Sequence, residues 1–157
     1  GVELPLGEKL SGEISAGYLL RDIDDASLKD IDAFAIDGSL AWSPMRGTTL
    51  TASLSTALEA STSAGESGSV VHVLSLELER ELRESVVARL TGTAALRNYE
   101  GAFAPEDQTR LGISGEIDWS INRYLSLVAD AGYERTTQPG VDDSDTARVG
   151  LGLRVRR

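Results

Sequence analysis

The chain has no cysteine and one histidine, His72. Disulfides and thiolate metal clusters are therefore excluded, and carboxylates are the only metal ligands present in number. The absence of cysteine fits an oxidising compartment such as the periplasm. No run of about 18 apolar residues exists, so no membrane-spanning helix is encoded. Lysine is nearly missing too: Lys9 and Lys29 fall in turn or loop positions, and every basic residue within a strand is arginine. Acidic residues outnumber basic ones 25 to 15, a net charge of -10. Such a balance argues against a nucleic-acid partner, because phosphates call for cations. The chain opens on Gly1 without an initiating methionine, so it reads as a mature or trimmed product; the partial strand at Val2–Leu6 and the ending Val155-Arg156-Arg157, without a terminal aromatic, lead to the expectation that the natural form extends beyond one or both ends. Its length suits one domain, residues 1–157.

What is present is an alternation of period two. Leu10, Gly12, Ile14, Ala16, Tyr18 and Leu20 interleave with Ser11, Glu13, Ser15, Gly17, Leu19 and Arg21. Side chains of a strand point alternately to its two faces, so such a segment has one greasy face and one wet face. The pattern recurs about eight times, predicting strands over 10–23, 32–43, 48–60, 69–82, 86–99, 109–121, 124–136 and 146–156. Val2–Leu6 reads as the tail of an incomplete extra strand, with Pro5 tolerated only at an edge.

The connections differ in character. Pro44–Gly47, Arg83–Ser85 and Asn122–Arg123 are short, whereas Asp24–Ile31, Ser61–Gly68, Glu100–Gln108 and Thr137–Asp145 are longer. Long strands joined by alternating short turns and long loops predict an all-β, antiparallel, up-and-down transmembrane β-barrel of about eight strands. The long loops should share one end. Trp42 and Trp119 lie on the apolar parity near short turns, and Tyr18, Phe34 and Tyr133 lie toward the opposite end. Two belts of aromatics at the two interfaces suit a barrel in lipid. Arg80, Asn98 and Arg135 break the apolar parity near strand ends, where long side chains can snorkel to head groups.

Several segments resemble a known family. These are STSAGESGS at residues 61–69, the run Leu76-Glu77-Leu78-Glu79-Arg80-Glu81-Leu82, the turn Asn122-Arg123-Tyr124-Leu125, and DTARVGLGLR at residues 145–154. In order and spacing they are similar to the C-terminal half of the putative β-barrel porins, type 2, from about Gly7 onward. The resemblance implies a bacterial outer-membrane barrel with a porin-like role. Outer-membrane lipid would be its surroundings, with self-association or further strands from a longer or second chain as additional partners.

Functional-looking groups concentrate on the polar parity. It carries Glu13, Asp37, Glu59, Glu77, Glu79, Glu81, Glu116, Asp118, Asp130 and Glu134 against Arg21, Arg89, Arg97, Arg110, Arg148 and Arg154. These are the candidate lumen-lining residues. In a wide barrel they would line a conduit favouring cations. In an eight-stranded barrel, whose interior holds only side chains, they would form an ion-pair plug.

No enzymatic constellation is apparent. His72 lies on the apolar parity with Val70 and Leu74 beside it rather than a serine, so it reads as an interfacial ring. Asp142, Asp143 and Asp145 lack the spacing of a calcium loop and read as solvated. Gly150-Leu151-Gly152-Leu153 lies within a strand, its glycines making room on the polar face. No catalytic residue, metal or cofactor is expected. The alternative to a membrane barrel is a soluble or surface β-barrel module that buries its apolar parity inward or against a partner.

Overall fold

The computed structural model describes residues 2–5, 9–21, 31–60, 68–100 and 107–155. All secondary structure among them is β. The strands are β1 (Val2–Pro5), β2 (Leu10–Arg21), β3 (Ile31–Met45), β4 (Thr48–Ala60), β5 (Gly68–Arg83), β6 (Val86–Glu100), β7 (Gln108–Ser120), β8 (Leu125–Gln138) and β9 (Val141–Val155). Each pairs antiparallel with its neighbours in sequence, giving one sheet in the order β1 to β9. Eight long strands and the short β1 thus form the up-and-down meander that the alternation predicts. The sheet is open among the described residues, with β1 and β9 as its edges.

The register keeps the two parities apart across the whole sheet. Leu10 lies opposite Trp42, Trp42 opposite Leu50, Leu50 opposite Leu78, and Leu78 opposite Leu90. On the other face Glu79 meets Arg89, Arg89 meets Glu116, and Glu116 meets Asp130. A slip of one residue would exchange the faces of a strand, so the sequence pattern limits the pairing to registers that keep the parities together. The rows also climb in one direction. Trp42 lies four residues before Arg46 at its short turn, and Gly115, further along the same row, lies seven before Asn122. This stagger is the tilt that a sheet needs in order to curl into a barrel.

Exposure is inverted relative to a water-soluble sheet. Along β5 the leucines Leu74, Leu76 and Leu78 are exposed while Ser75, Glu77 and Glu79 are half-buried. In β7, Ile113, Ile117 and Trp119 are exposed while Glu116 and Asp118 are half-buried. In these two strands the apolar side chains are thus the outward, exposed ones and the carboxylates the more sheltered.

Turn chemistry explains the described hairpin ends at β3–β4 and β7–β8. Gly47 supplies the left-handed conformation between Met45 and Thr48, at φ 68°. Asn122 closes the β7–β8 turn by accepting the amides of Tyr124 and Leu125 on its side-chain oxygen, at 2.8 and 3.0 Å. Pro44 falls where the β3–β4 register shifts, a place that tolerates a residue without an amide.

One expected connection is corrected. Thr137–Asp145 is not a long loop, since β8 runs to Gln138, β9 starts at Val141, and these two residues pair across Pro139–Gly140. Gly140, at φ 77°, makes the turn tight, and the acidic residues after it belong to a strand. The other three expected loops fall mainly on residues 22–30, 61–67 and 101–106, outside the described residues.

The β3–β4 interface is unlike the rest. Its ladder runs from Met45–Thr48 up to Gly38–Leu54 and stops there. Beyond that point β3 stays paired with β2 to Ile31, and β4 stays paired with β5 to Ala60. Amides aimed into this gap should exchange with solvent roughly tenfold or more faster than those of the continuous β5–β6 ladder. Fragment-resolved hydrogen exchange on residues 33–37 and 56–58 against 70–76 checks this; equal protection would contradict it.

Candidate functional site

The polar face is organised around arginines, because a guanidinium can bridge carboxylates on neighbouring strands. Arg89 on β6 is the centre. Its Nη2 donates to Glu79 Oε2 at 2.6 Å and its Nη1 to Glu116 Oε1 at 2.7 Å. Its Nε lies 3.7 Å from Glu77 Oε1. The register places Glu79 and Glu116 directly to either side of Arg89. One cation thus holds three carboxylates from β5 and β7.

Further pairs extend the pattern. Arg154 Nη1 donates to Asp118 Oδ2 at 2.6 Å, reaching from β9 over β8 to β7. Near the opposite end Arg97 Nη2 meets Glu59 Oε2 at 2.9 Å, crossing over β5, and Arg110 Nε lies 3.6 Å from Glu134 Oε1. Arg97 also lies over the Tyr99 ring, 5.9 Å from its centroid.

Other charged groups on this face are not neutralised. Among the described residues, Glu13, Glu81, Asp130 and Arg148 form no ion pair. Asp37 instead accepts the Thr56 amide, at 3.0 Å from its Oδ1. Gly150 gives Asp130 its room: a Cβ at that position would lie 2.3 Å from Asp130 Oδ1. The side chain of Arg21 lies outside what is described.

A profile for the family described as Putative beta-barrel porin 2 matches residues 1–157, the whole chain. The chain belongs to this family. Neither the curated proteins nor the solved structures show a match to it. The family description fits the all-β meander and implies a membrane-embedded barrel.

Within that porin frame, the apolar face has its aromatics near both ends of the strands. Trp42 and Trp119 are exposed beside the short turns. Tyr18 and Phe34 lie directly opposite each other toward the far end of β2 and β3. Tyr133 donates its hydroxyl to Asp145 Oδ1 at 2.7 Å.

Two features differ from the sequence reading. Arg135 does not stand as an isolated snorkelling cation: it binds Asp143, and its Nε lies 3.9 Å from Asp145 Oδ1. The extended β8–β9 hairpin brings these groups together on the apolar face. His72 is not a bare ring either; its Nδ1 lies 3.1 Å from Thr56 Oγ1. Thr56 was legible only as one more polar residue on an apolar parity, and its bonding partners come from strands distant in sequence.

The Arg89 centre yields a measurable coupling. Its guanidinium is about one-third exposed, at 36%. Replacing it in Arg89→Gln should cost about 1–2 kcal/mol, between the values for exposed and buried pairs. Glu116→Gln should then cost less in the Arg89→Gln background than in the parent, because the repulsion among three carboxylates is relieved. Urea unfolding of the four proteins of the cycle in one detergent measures this; strict additivity would contradict it.

Proposed function

We propose that this protein is an outer-membrane porin whose polar face lines a water-filled, weakly cation-selective lumen. The observation that carries the reading is the inverted exposure along β5 and β7: Glu77, Glu79, Glu116 and Asp118 are half-buried while Leu74, Leu76, Leu78, Ile113 and Ile117 are exposed. A soluble barrel with its apolar parity inward would shelter the leucines instead. Lipid is the surrounding that suits an outward leucine face with aromatics near both ends.

The edges bear on the width of the lumen. An eight-stranded closure would join β9 to β2, but β1 already pairs with β2 from Ser11 to Ile14. The lower half of β9 carries Val149, Gly150, Leu151, Gly152 and Leu153, with none of the proline or lysine that protects a free edge. Backbone groups cannot stay unpaired in hydrocarbon. Further strands, from a longer or a second chain, would therefore complete the wall and leave room for water inside it.

Ten acidic against six arginine side chains on the polar parity give the selectivity its sign. Reversal potentials of the reconstituted protein in a potassium chloride gradient should show modest cation preference. Steady anion-selective conductance would contradict the proposal. A closed, non-conducting scaffold is the second reading, favoured by the dense pairing around Arg89; vesicles loaded with small cations that never leak would support it.

The outward face has its own test. Leu76→Arg should destabilise the protein by roughly 2–4 kcal/mol if that position lies near mid-bilayer. Refolding titrations into phosphatidylcholine vesicles measure it, and a negligible effect would speak against the lipid-facing assignment.

A further inference from the structure

The outward face carries a groove of about 760 Å³ that crosses the sheet from β5 to β9, and its lining is almost wholly apolar. Ala88, Gly115, Ala129 and Ala131 form its floor, in two adjacent outward rows of β6 to β8. Leu78 and Leu90 stand at the β5 side and Val149 and Leu151 at the β9 side. Four inter-strand steps of about 4.8 Å make it roughly 19 Å long. The hollow is not a by-product of packing. A Cβ on Gly115 would meet nothing nearer than the Arg89 carbonyl oxygen at 3.9 Å, and Gly115 is not among the glycines with positive φ. Gly112 and Gly150, by contrast, make way for Thr93 and Asp130 on the polar face. Gly115 yields to no neighbour in its own chain, and what it leaves is room in the groove.

Arg80 lines the β5 end of the groove and is exposed on the outward parity. Its row lies between the row of Trp42 and the row of Trp119, so it sits at the depth of the aromatic belt near the short turns. Arg135 on the same parity is bound by Asp143, whereas Arg80 forms no ion pair among the described residues. A guanidinium facing lipid calls for an anion, and at the depth of this belt the bilayer offers its phosphates, which arginine takes through two donors. Along the Arg80 row the distance to the short turns grows, from four residues between Arg80 and Glu84 to six between Ala129 and Arg123. The groove therefore leads from the interface into the hydrocarbon.

We infer that this groove holds an acyl chain of an anionic glycerophospholipid from the leaflet at the short-turn end, with the lipid phosphate on Arg80. The inference rests on the membrane-barrel reading. A chain laid over Ala88, Gly115 and Ala131 has wall beneath it and leucines or valine at its ends, so it makes more dispersion contacts than on a level row of large side chains. The headgroup preference follows from charge. Phosphatidylglycerol leaves the whole charge of its phosphate to Arg80, whereas the choline cation of phosphatidylcholine offsets it. The bound lipid is then a fixed part of the wall, lying behind the strands that carry the Arg89 centre on the polar face.

The test uses phosphatidylglycerol with a mid-chain diazirine, present as a minor component of phosphatidylcholine vesicles that hold the intact protein, and photolysed. Adducts are then mapped by mass spectrometry. The groove predicts labelling of Ala88, Ala129 and Ala131 above that of Leu40 and Leu111, which are exposed on the same face. Arg80→Gln should lower the groove labelling several-fold and leave Leu40 and Leu111 unchanged, and Arg80→Lys should keep most of it. Gly115→Leu, which fills the groove with Arg80 in place, should lower it as well. Phosphatidylcholine with the same labelled chain should mark the groove several-fold less. Equal labelling of the groove and of Leu40 and Leu111 would overturn the site alone, leaving an unspecific lipid coat. Groove labelling unmoved in Arg80→Gln would overturn the phosphate contact and the inference with it. Absence of labelling at all five positions would bring down the membrane reading on which the inference stands.

Discussion

A peptide group in hydrocarbon has no water to bond, so every amide and carbonyl must find a partner within the wall. In an up-and-down meander that partner is the next strand, and the ladder then decides everything else about the chain. It requires long strands in uniform register, which in turn require a period-two sequence. It forces side chains to two faces, one of which must suit lipid. It also makes any interruption conspicuous, because the groups it frees need a substitute. The β3–β4 break has one in Thr56 and Asp37.

The polar face follows from the same constraint. Once the leucines are turned outward, carboxylates are drawn together on a curled surface, and repulsion would unroll it without cations between them. Arginine meets the need because its fork reaches two neighbouring strands at once. Arg89 does so for Glu79 and Glu116. Arg154 and Arg97 reach one strand further, over β8 and β5. The near absence of lysine in this chain is thus a structural matter as well as a compositional one.

The fold was legible in the residues because its signal is local. Leu74 to Glu79 state their faces by alternation alone, and the same holds for Leu111 to Trp119. The β8–β9 connection was misread because charge was taken as loop: Asp142 to Asp145 look solvated until Arg135 is known to stand opposite them. The Pro139–Gly140 pair was the available signal, since such a dipeptide marks a tight turn. The candidate site was legible by parity but not by partner. Glu79–Arg89–Glu116 follows from register, which sequence pattern limits but does not state. The β3–β4 break was not legible, for Ile36 continues the alternation, Thr56 is one polar residue on the apolar parity of its strand, and the interruption exists only between them.

The central claim is that the polar face looks into water and the apolar face into lipid. Because the chain has no cysteine, single cysteines can be placed in turn at positions 74 to 79 of β5 without background. Reaction of each with a membrane-impermeant maleimide, in vesicle-reconstituted protein, measures the claim most directly. The account predicts a period-two result, with positions 75, 77 and 79 reactive and 74, 76 and 78 protected until detergent is added. Reactivity at 74, 76 and 78, or equal reactivity at all six, would contradict it.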